Sequence, residues 1–478
     1  MRAAFWGTEL ANPSGGTDVL TAALTPHREH LLAQTSGQKL FVALTVRPGE
    51  KASRARPQLS VAFVVDTSGS MRETVTEPTE RTGRTTVVDG QRYEVVRGAK
   101  SKMDLVEESL TGVFASDLLQ GDDRLALVKF DDEAEVLLPF TEARHRDDAA
   151  GAVKRLSDFS GGTLMGAGMQ EALELLRLEQ GSKRLLLLTD GRTADEDLVR
   201  EVGEALAQER VAVTAIGVGE EWNEELLTEL TDRTQGKPFY VVPDAQDPQP
   251  PAVRMTDLPD ELTTELQNTA NEVVTGLRLS VRTVKDVTLE RVTRVYPTQN
   301  EVDRTGAQLF LGSAGAGEDT VFILEFTLPA RPSARMRLAQ LALTYEVPGA
   351  DYRGETEPLD VVVEFTTDEA RASRLSGEVM RWVQQRNVEG LIRQATLQAP
   401  GDPAGAQKTM ELARAMTVRL GNGVMTKALD RAIGELSSGK TVSVATAKTL
   451  KIGAKTQTLQ SGSDDLPGDD EIRRMTGV

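Results

Sequence analysis

Asp66, Ser68 and Ser70 sit together at the end of an apolar run, VAFVVDTSGSM from Val61 to Met71, so one carboxylate and two hydroxyls leave a single strand at one point. Hard oxygens of this kind suit a hard divalent cation such as Mg2+ or Mn2+. Alone the pattern is a weak signal, because a Ser/Gly turn after a strand is most often only a turn. Two later segments offer the same donor chemistry. GGTLMGAGMQEALELL presents Gly161, Gly162 and Thr163 before an amphipathic helix, and LLLLTDGR presents Asp190 at the end of another buried strand. Three other groupings compete. Asp131, Asp132 and Glu133 follow a strand and could be read as a second cation site. His27, His30 and His145, the only histidines, lie outside every ligand segment and read as solvated loop or strand residues, which leaves a catalytic ion without an evident general base. GNGVMTK, Gly421 to Lys427, superficially suggests a phosphate loop, but it follows no strand and reads as a helix C-cap and turn.

Taken together, the first three segments resemble the metal-ion-dependent adhesion site (MIDAS) of von Willebrand factor A (vWA) domains, bacterial in type. The DxSxS pattern matches Asp66-Thr67-Ser68-Gly69-Ser70, and Thr163 and Asp190 fall in the order and context that the family uses. KMDLVEESL, DRLALVKFDDEAEVLLPFTEA and VAVTAIGVGEEWNEELLTEL look like the family's first helix, its next strands and its last strand-helix unit, with FDDEAEV at a hairpin-like turn. The resemblance implies one Mg2+ or Mn2+ ion held by Asp66, Ser68, Ser70, Thr163 and Asp190. The hydroxyls would bind directly and the carboxylates directly or through water. It further implies a non-enzymatic interaction module in which an Asp or Glu of a protein partner completes the coordination sphere. Three alternatives remain open: an adaptor for an AAA+ ATPase of the MoxR or magnesium-chelatase type, a magnesium-dependent hydrolase, and a surface adhesin.

The elements that must position these residues follow from periodicity. Unbroken apolar runs at Ser60–Val65, Leu125–Phe130, Leu185–Thr189, Val211–Val218 and Phe239–Val242 read as strands of a parallel sheet buried on both faces. Between them, Met103, Val106, Leu110 and Val113 recur at helical spacing, as do Met169, Leu173 and Leu176, then Leu198, Val202 and Leu206. Asn223 is placed to cap a last helix. Residues 58–243 are therefore expected to form an α/β doubly wound, Rossmann-like vWA domain. The flanks alternate with period two. Leu40, Val42, Leu44 and Val46 precede the domain, and Leu277, Leu279 and Val281 follow it, with further strands expected at Thr320–Leu328, Leu338–Val347 and Leu359–Phe365. Strands within 1–57 are too few to bury a face alone. They are expected to join 244–367 in one antiparallel β-sandwich, with the vWA domain inserted between them. The Pro-rich stretch 242–262 argues against regular structure at the second crossing and leads into a short helical pattern at Leu262, Leu266 and Ala270. Residues 368–460 read as a small helical bundle: one helix through Leu375, Val379, Trp382 and Val383, the next through Val388, Leu391 and Ile392, and a third through Met410, Leu412, Met416 and Leu420. Residues 461–478 read as a disordered tail.

Composition narrows the function classes. The 478 residues carry a net charge of −18, which disfavours nucleic acid as a partner. With no cysteine, disulfide frameworks, thiolate metal sites and cysteine nucleophiles are excluded. The opening segment lacks a continuous apolar h-region and no stretch approaches the length of a membrane span, so a cytoplasmic location is expected. One departure from the family bears on function: residues 72–100 are inserted between the first metal loop and the first helix. They read as a hairpin turning at Asp89-Gly90 and must lie beside the metal face, and the stretch from Arg72 to the start of the helix carries Arg72, Arg81, Arg84, Arg92, Arg97, Lys100 and Lys102.

Overall fold

The computed structural model describes residues 19–459, apart from 55, 77, 89–90, 244–249 and 351. At its centre is a seven-stranded sheet in the order 253–254, 237–242, 212–218, 182–189, 59–66, 124–130 and 134–142. Every pairing is parallel except that of Arg124–Phe130 with the edge strand Ala134–Glu142. Leu59–Asp66 is buried at all eight positions, which explains its lack of polar alternation. Helices Lys102–Phe114 and Leu258–Ala270 cover one face, with Phe63, Val65, Met103, Val106, Leu262 and Leu266 in a shared cluster. Helices Met165–Arg177, Glu196–Gln208 and Glu224–Arg233 cover the other.

Two expectations for the end of this unit need correction. The sheet does not stop at 243, since Val253–Arg254 adds a parallel strand beside 241–242. The helix expected through Leu262, Leu266 and Ala270 is present, but it starts earlier, at Leu258 within the Pro-rich stretch, with Pro259 in its first turn, where a missing N–H is tolerated. Leu258, Leu262 and Leu266 of that helix lie in the α/β core, so the unit runs to about residue 270.

Two further sheets lie face to face. One has the order 20–26, 38–48, 320–328, 288–296 and 300–301, and the other 309–315, 272–283, 334–347, 359–366 and 30–32, with 352–355 paired at its side. Gln38–Pro48 pairs antiparallel with Thr320–Leu328 from Gln38↔Leu328 to Val46↔Thr320. Leu40, Val42 and Leu44 from before the α/β unit share one core with Val274, Leu279, Phe322, Leu341 and Phe365 from after it. These sheets abut the end of the α/β sheet where its strands begin. Arg184 reaches Glu272, and Arg210 reaches Glu346.

The helical region differs from expectation in two ways. Gly377–Gln398 is one continuous helix carrying the first two predicted apolar sets except Leu375, which precedes it, followed by Pro403–Leu420, Gly423–Ser437 and Val444–Thr456. Leu412 is exposed and takes no part in the helical core. Nor is the region a free-standing bundle. Val379, Trp382 and Val383 pack on Phe41, Val295 and Ile323 of the first flanking sheet, while Ile452 is buried in the α/β core. At GNGVMTK, Gly421 takes φ 75°, a left-handed cap that ends one helix, and Asn422 caps the next by accepting from Met425 N. No helix among the described residues is long and apolar enough to cross a membrane. The expected tail at 461–478 and the turn at Asp89-Gly90 lie outside the described residues.

Candidate metal centre

Strand 59–66 is the topological hinge of the sheet: the chain continues to 124–130 on one side and later returns to 182–189 on the other. Loops leaving the carboxyl ends of 59–66 and 182–189 therefore diverge and open a crevice, the place where open α/β sheets bind ligands. Asp66 ends the first of these strands and Asp190 directly follows the second.

Asp66 is fully buried. Its Oδ1 accepts from Ser68 N at 2.9 Å, and its Oδ2 accepts from Thr189 Oγ1 at 2.8 Å. These two bonds turn the DTSGS loop back over the strand end and aim both serine hydroxyls into the crevice. Ser68 Oγ lies 3.1 Å from Ser70 Oγ, and Ser70 Oγ donates to Asp190 Oδ1 at 2.7 Å. Asp66, Ser68 and Asp190 form a buried floor, while Ser70 and Thr163 are partly open.

Thr163 arrives through its backbone. Its carbonyl accepts from Ala194 N at 3.0 Å and from Thr193 Oγ1 at 3.1 Å, and its hydroxyl lies beside Gly191. Hydrogen bonds thus join four of the five expected ligands, and the loop after Asp190 carries the fifth alongside. A Cβ on Gly161 or Gly162 would come within 2.7 or 2.6 Å of the carboxylate of exposed Asp132, which would have to swing aside. Gly69 N donates to Gly161 O at 3.2 Å and ties this loop to the serine loop.

Burial, and then the nearby Asp190 charge, push the Asp66 carboxyl up from 3.8 to about 6. One of the basic residues expected beside the metal face is buried here and answers part of that charge. Lys102 Nζ lies 2.7 Å from Asp190 Oδ2 and 2.7 Å from Glu73 Oε2. Burial works against its ammonium, but Asp190 and Glu73 together outweigh it and hold the pKa above the ordinary lysine value. Lys102 is the first residue of its helix, fixed there by a capping box in which Ser101 and Asp104 exchange hydrogen bonds. That Ser-x-x-Asp pattern was the one signal in the sequence that could have located it.

The competing groupings resolve differently. Asp131 accepts from Lys129 Nζ at 2.9 Å, Thr67 Oγ1 at 2.9 Å and Glu133 N at 3.1 Å, so it braces the DTSGS loop rather than forming a second cation site. Among the described residues no group of three or more His, Cys, Asp or Glu could hold a metal, so any cation here must depend on hydroxyls. His27 is not solvated: it is completely buried in the flanking sheets, accepts from Phe41 N at Nδ1, and is pushed down to about 3, chiefly by burial. His30 lies beside Glu364 and Arg371, and His145 is exposed at a helix start. None of the three touches the crevice.

The donor set fits a small divalent ion. Adjacent oxygens of an octahedron with about 2.0–2.1 Å bonds lie about 2.9 Å apart, and the Ser68–Ser70 and Ser70–Asp190 separations of 3.1 and 2.7 Å bracket that spacing.

The inserted segment leaves this site directly. Met71 and Val75 are buried in the α/β core, and Arg72 donates to Ser157 O and Phe159 O, both at 3.0 Å. Val75 N then bonds Lys100 O, closing the base. Beyond it, Glu80–Val88 and Gln91–Arg97 form a separate two-stranded antiparallel ribbon, on which Arg81, Arg84, Arg92 and Arg97 are exposed.

Comparison with known proteins agrees with this fold. The model of the von Willebrand factor type A domain matches residues 60–251, and that of the Sll0103-like C-terminal alpha-helical domain matches residues 377–460. The uncharacterized protein sll0103 of Synechocystis sp. is 23% identical over 448 residues, covering 90% of this chain and 95% of that one. Among solved structures, a von Willebrand factor type A protein from Catenulispora acidiphila superposes with a TM-score of 0.72 at 19% identity, over 94% of this chain and 99% of that one. The ArnB paralog VWA2 from Sulfolobus acidocaldarius gives 0.55 at 13% identity, over 93% and 100%. These likenesses extend over the flanking sheets and helices as well as the central domain. Residues 60–251 are a von Willebrand factor type A domain, set between flanking sheets and followed by an Sll0103-like helical domain.

Proposed function

We propose that this protein is a non-enzymatic, divalent-cation-dependent protein-interaction module, with Asp66, Ser68, Ser70, Thr163 and Asp190 as the residues that hold a Mg2+ or Mn2+ ion. One observation carries the reading: the chain Ser68 Oγ, Ser70 Oγ, Asp190 Oδ1, whose members lie 3.1 and 2.7 Å apart at the open end of the sheet. Asp66 holds the serine loop through Ser68 N, and Thr189 fixes the Asp66 carboxylate. An ion bound there would supply an electron-poor docking point for a carboxylate of a partner protein.

The architecture supports a docking role. In this reading the vWA domain is inserted into a β-sandwich built from both flanks, as the pairing of Gln38–Pro48 with Thr320–Leu328 suggests. That sandwich sits where the parallel strands begin and leaves the carboxyl ends facing outward. An acidic protein segment is preferred over an AAA+ motor because the chemistry of the site calls for a carboxylate, and no feature of the chain calls for an ATPase. A non-enzymatic role is preferred over a hydrolase because none of the three histidines reaches the crevice. The location is taken as cytoplasmic, from the sequence alone.

The test is a pulldown from the source cell with magnesium and with EDTA, comparing the native protein with Asp66→Ala, alongside calorimetric titration of Mg2+ and Mn2+. Metal-dependent capture lost in Asp66→Ala is expected. Absence of binding heat for both ions would overturn the assignment, and metal-dependent turnover of a phosphate ester would favour the hydrolase.

A further inference from the structure

The buried charges of the crevice are Asp66, Asp190 and Lys102, and Lys102 is the unusual member. An ammonium 2.7 Å from a carboxylate that is itself 2.7 Å from a serine hydroxyl of the same cluster is in permanent competition with any other cation for that carboxylate. The lysine is not a surface group that has strayed inward. Its side chain is 8% exposed, its backbone N donates to Glu73 O, and its ammonium is shared with Glu73 Oε2 at 2.7 Å. Glu73 begins the inserted segment and Lys102 follows its end, so the insertion is clamped around Asp190.

We propose that Lys102 is a resident counter-cation of the crevice, which neutralises Asp190 and so weakens the intrinsic hold on a divalent ion and leaves that ion short of negative charge until a partner's carboxylate supplies it. This rests on the metal reading of the site and adds a residue that sets its affinity. With Lys102 in place, the floor offers one net negative charge against a doubly charged ion. Without it, the floor offers two. Binding should then be tighter for the bare protein and less in need of an external carboxylate. Lys102 is in this sense a positioning and charge-setting residue, not a ligand.

The experiment is calorimetric titration of Mn2+ and of Mg2+ into the full-length protein and into Lys102→Met, Lys102→Gln and Lys102→Arg, each first checked for native circular dichroism. A unit charge within a few ångströms of a divalent ion is worth about tenfold or more in affinity even with water-like screening. Met and Gln should therefore bind either ion about tenfold or more tightly than the native protein, and Arg, which keeps the charge, should stay near the native value. Gln keeps a polar head at the buried position, so the result does not depend on Met folding. Native-like or weaker binding in a folded Met or Gln variant, with the native protein binding metal, overturns the role of Lys102 and leaves the metal site standing. No binding in any of the four proteins overturns the metal site and the role of Lys102 together.

Discussion

Asp66→Asn separates the two consequences of a buried carboxylate at the floor of the crevice, its burden on the apo fold and its hold on a cation. Displacement of the Asp66 carboxyl from 3.8 to about 6 means that the folded protein disfavours its ionised form. Between those two values the folded state retains a proton that the unfolded state has released, so stability falls as pH rises through this window. At pH 7 the whole penalty is present, roughly 3 kcal/mol at about 1.4 kcal/mol per pKa unit. Asparagine removes the charge while its amide oxygen can still accept from Ser68 N and its NH2 can donate to Thr189 Oγ1. Without metal, Asp66→Asn should therefore be more stable than the native protein by roughly 1–3 kcal/mol, the lower end allowing for weaker neutral hydrogen bonds.

Saturating magnesium should reverse the order. A ligand that binds only the folded state at a thousandfold excess over Kd adds about 4 kcal/mol, and only the native protein should gain it. Scanning calorimetry of both proteins at pH 7, in EDTA and in excess magnesium, reads the crossover directly. An Asn variant less stable than the native protein in EDTA would refute the buried-charge reasoning, and equal gains from magnesium in both would remove Asp66 from the ligand set.

The remaining expectations concern the flanks. His27, pushed down from 6.5 to about 3, stays neutral in the fold while the unfolded chain takes up a proton, so the stability it contributes is lost as pH falls below about 6.5. Denaturant unfolding at pH 7 and pH 5 should differ by roughly 1–2 kcal/mol from this group, and His27→Asn, which keeps an acceptor for Phe41 N, should reduce the difference. Replacing residues 78–98 by a short Gly/Ser bridge should change thermal stability by less than about 1 kcal/mol, because no described residue of the ribbon belongs to a hydrophobic core. Removing all of 72–100 should cost about 2–3 kcal/mol through loss of buried Val75. If the arm selects acidic partners, partner affinity in the shorter deletion should fall and lose part of its salt dependence; equal affinity at low and moderate ionic strength would make it a passive loop. Ile452→Ala should destabilise the vWA domain by about 3 kcal/mol, followed by fluorescence of Trp222, against which Lys448 stacks at 3.9 Å.

What could be read from the sequence was whatever local period or local chemistry expresses. Strand 59–66 announces itself because each of its positions is buried, and helix 165–177 because Met169, Leu173 and Leu176 repeat at one face. Asp66, Ser68, Ser70 and Asp190 were legible because strand ends in a parallel sheet converge on one edge, so residues about 120 apart in sequence meet without any pairing signal of their own. Lys102 was legible as a basic residue beside the metal face, but its burial against Asp190 was not, for the converse reason. An amphipathic helix declares its buried apolar stripe, but a lysine at its first position looks the same whether it faces water or a buried carboxylate. His27 reads as solvated for a similar reason, since a histidine just past a strand end gives no sign that it will be enclosed against Phe41 of the neighbouring strand. The continuous helix 377–398 was divided because Gly390 and neighbouring polar residues look like a break, whereas packing on two partners in succession carries it through.

The position of the helical domain gives the last constraint on function. Helix 444–456 presents Lys448, Lys451 and Lys455 along one side to the vWA domain: Lys448 Nζ donates to Glu220 O and Trp222 O, Lys451 pairs with Glu224, and Lys455 pairs with Asp232. Glu220 and Trp222 follow the carboxyl end of strand 212–218, whereas Asp232 lies near the start of strand 237–242, so the helix spans the flank of the sheet from the end bearing the site to the opposite end. Gln299 N donates to Lys455 O at 2.8 Å, joining the same helix to the flanking sheets. The domain is thus held from beneath by those sheets and along one side by this helix. The crevice at Asp66 and Asp190 lies at the end of the sheet from which the basic ribbon 80–97 departs, through the loop after Ser70. A partner approaching the crevice from that end meets the ribbon, so the arm and the metal floor are best treated as one surface, and substitutions in one should be measured with the other intact.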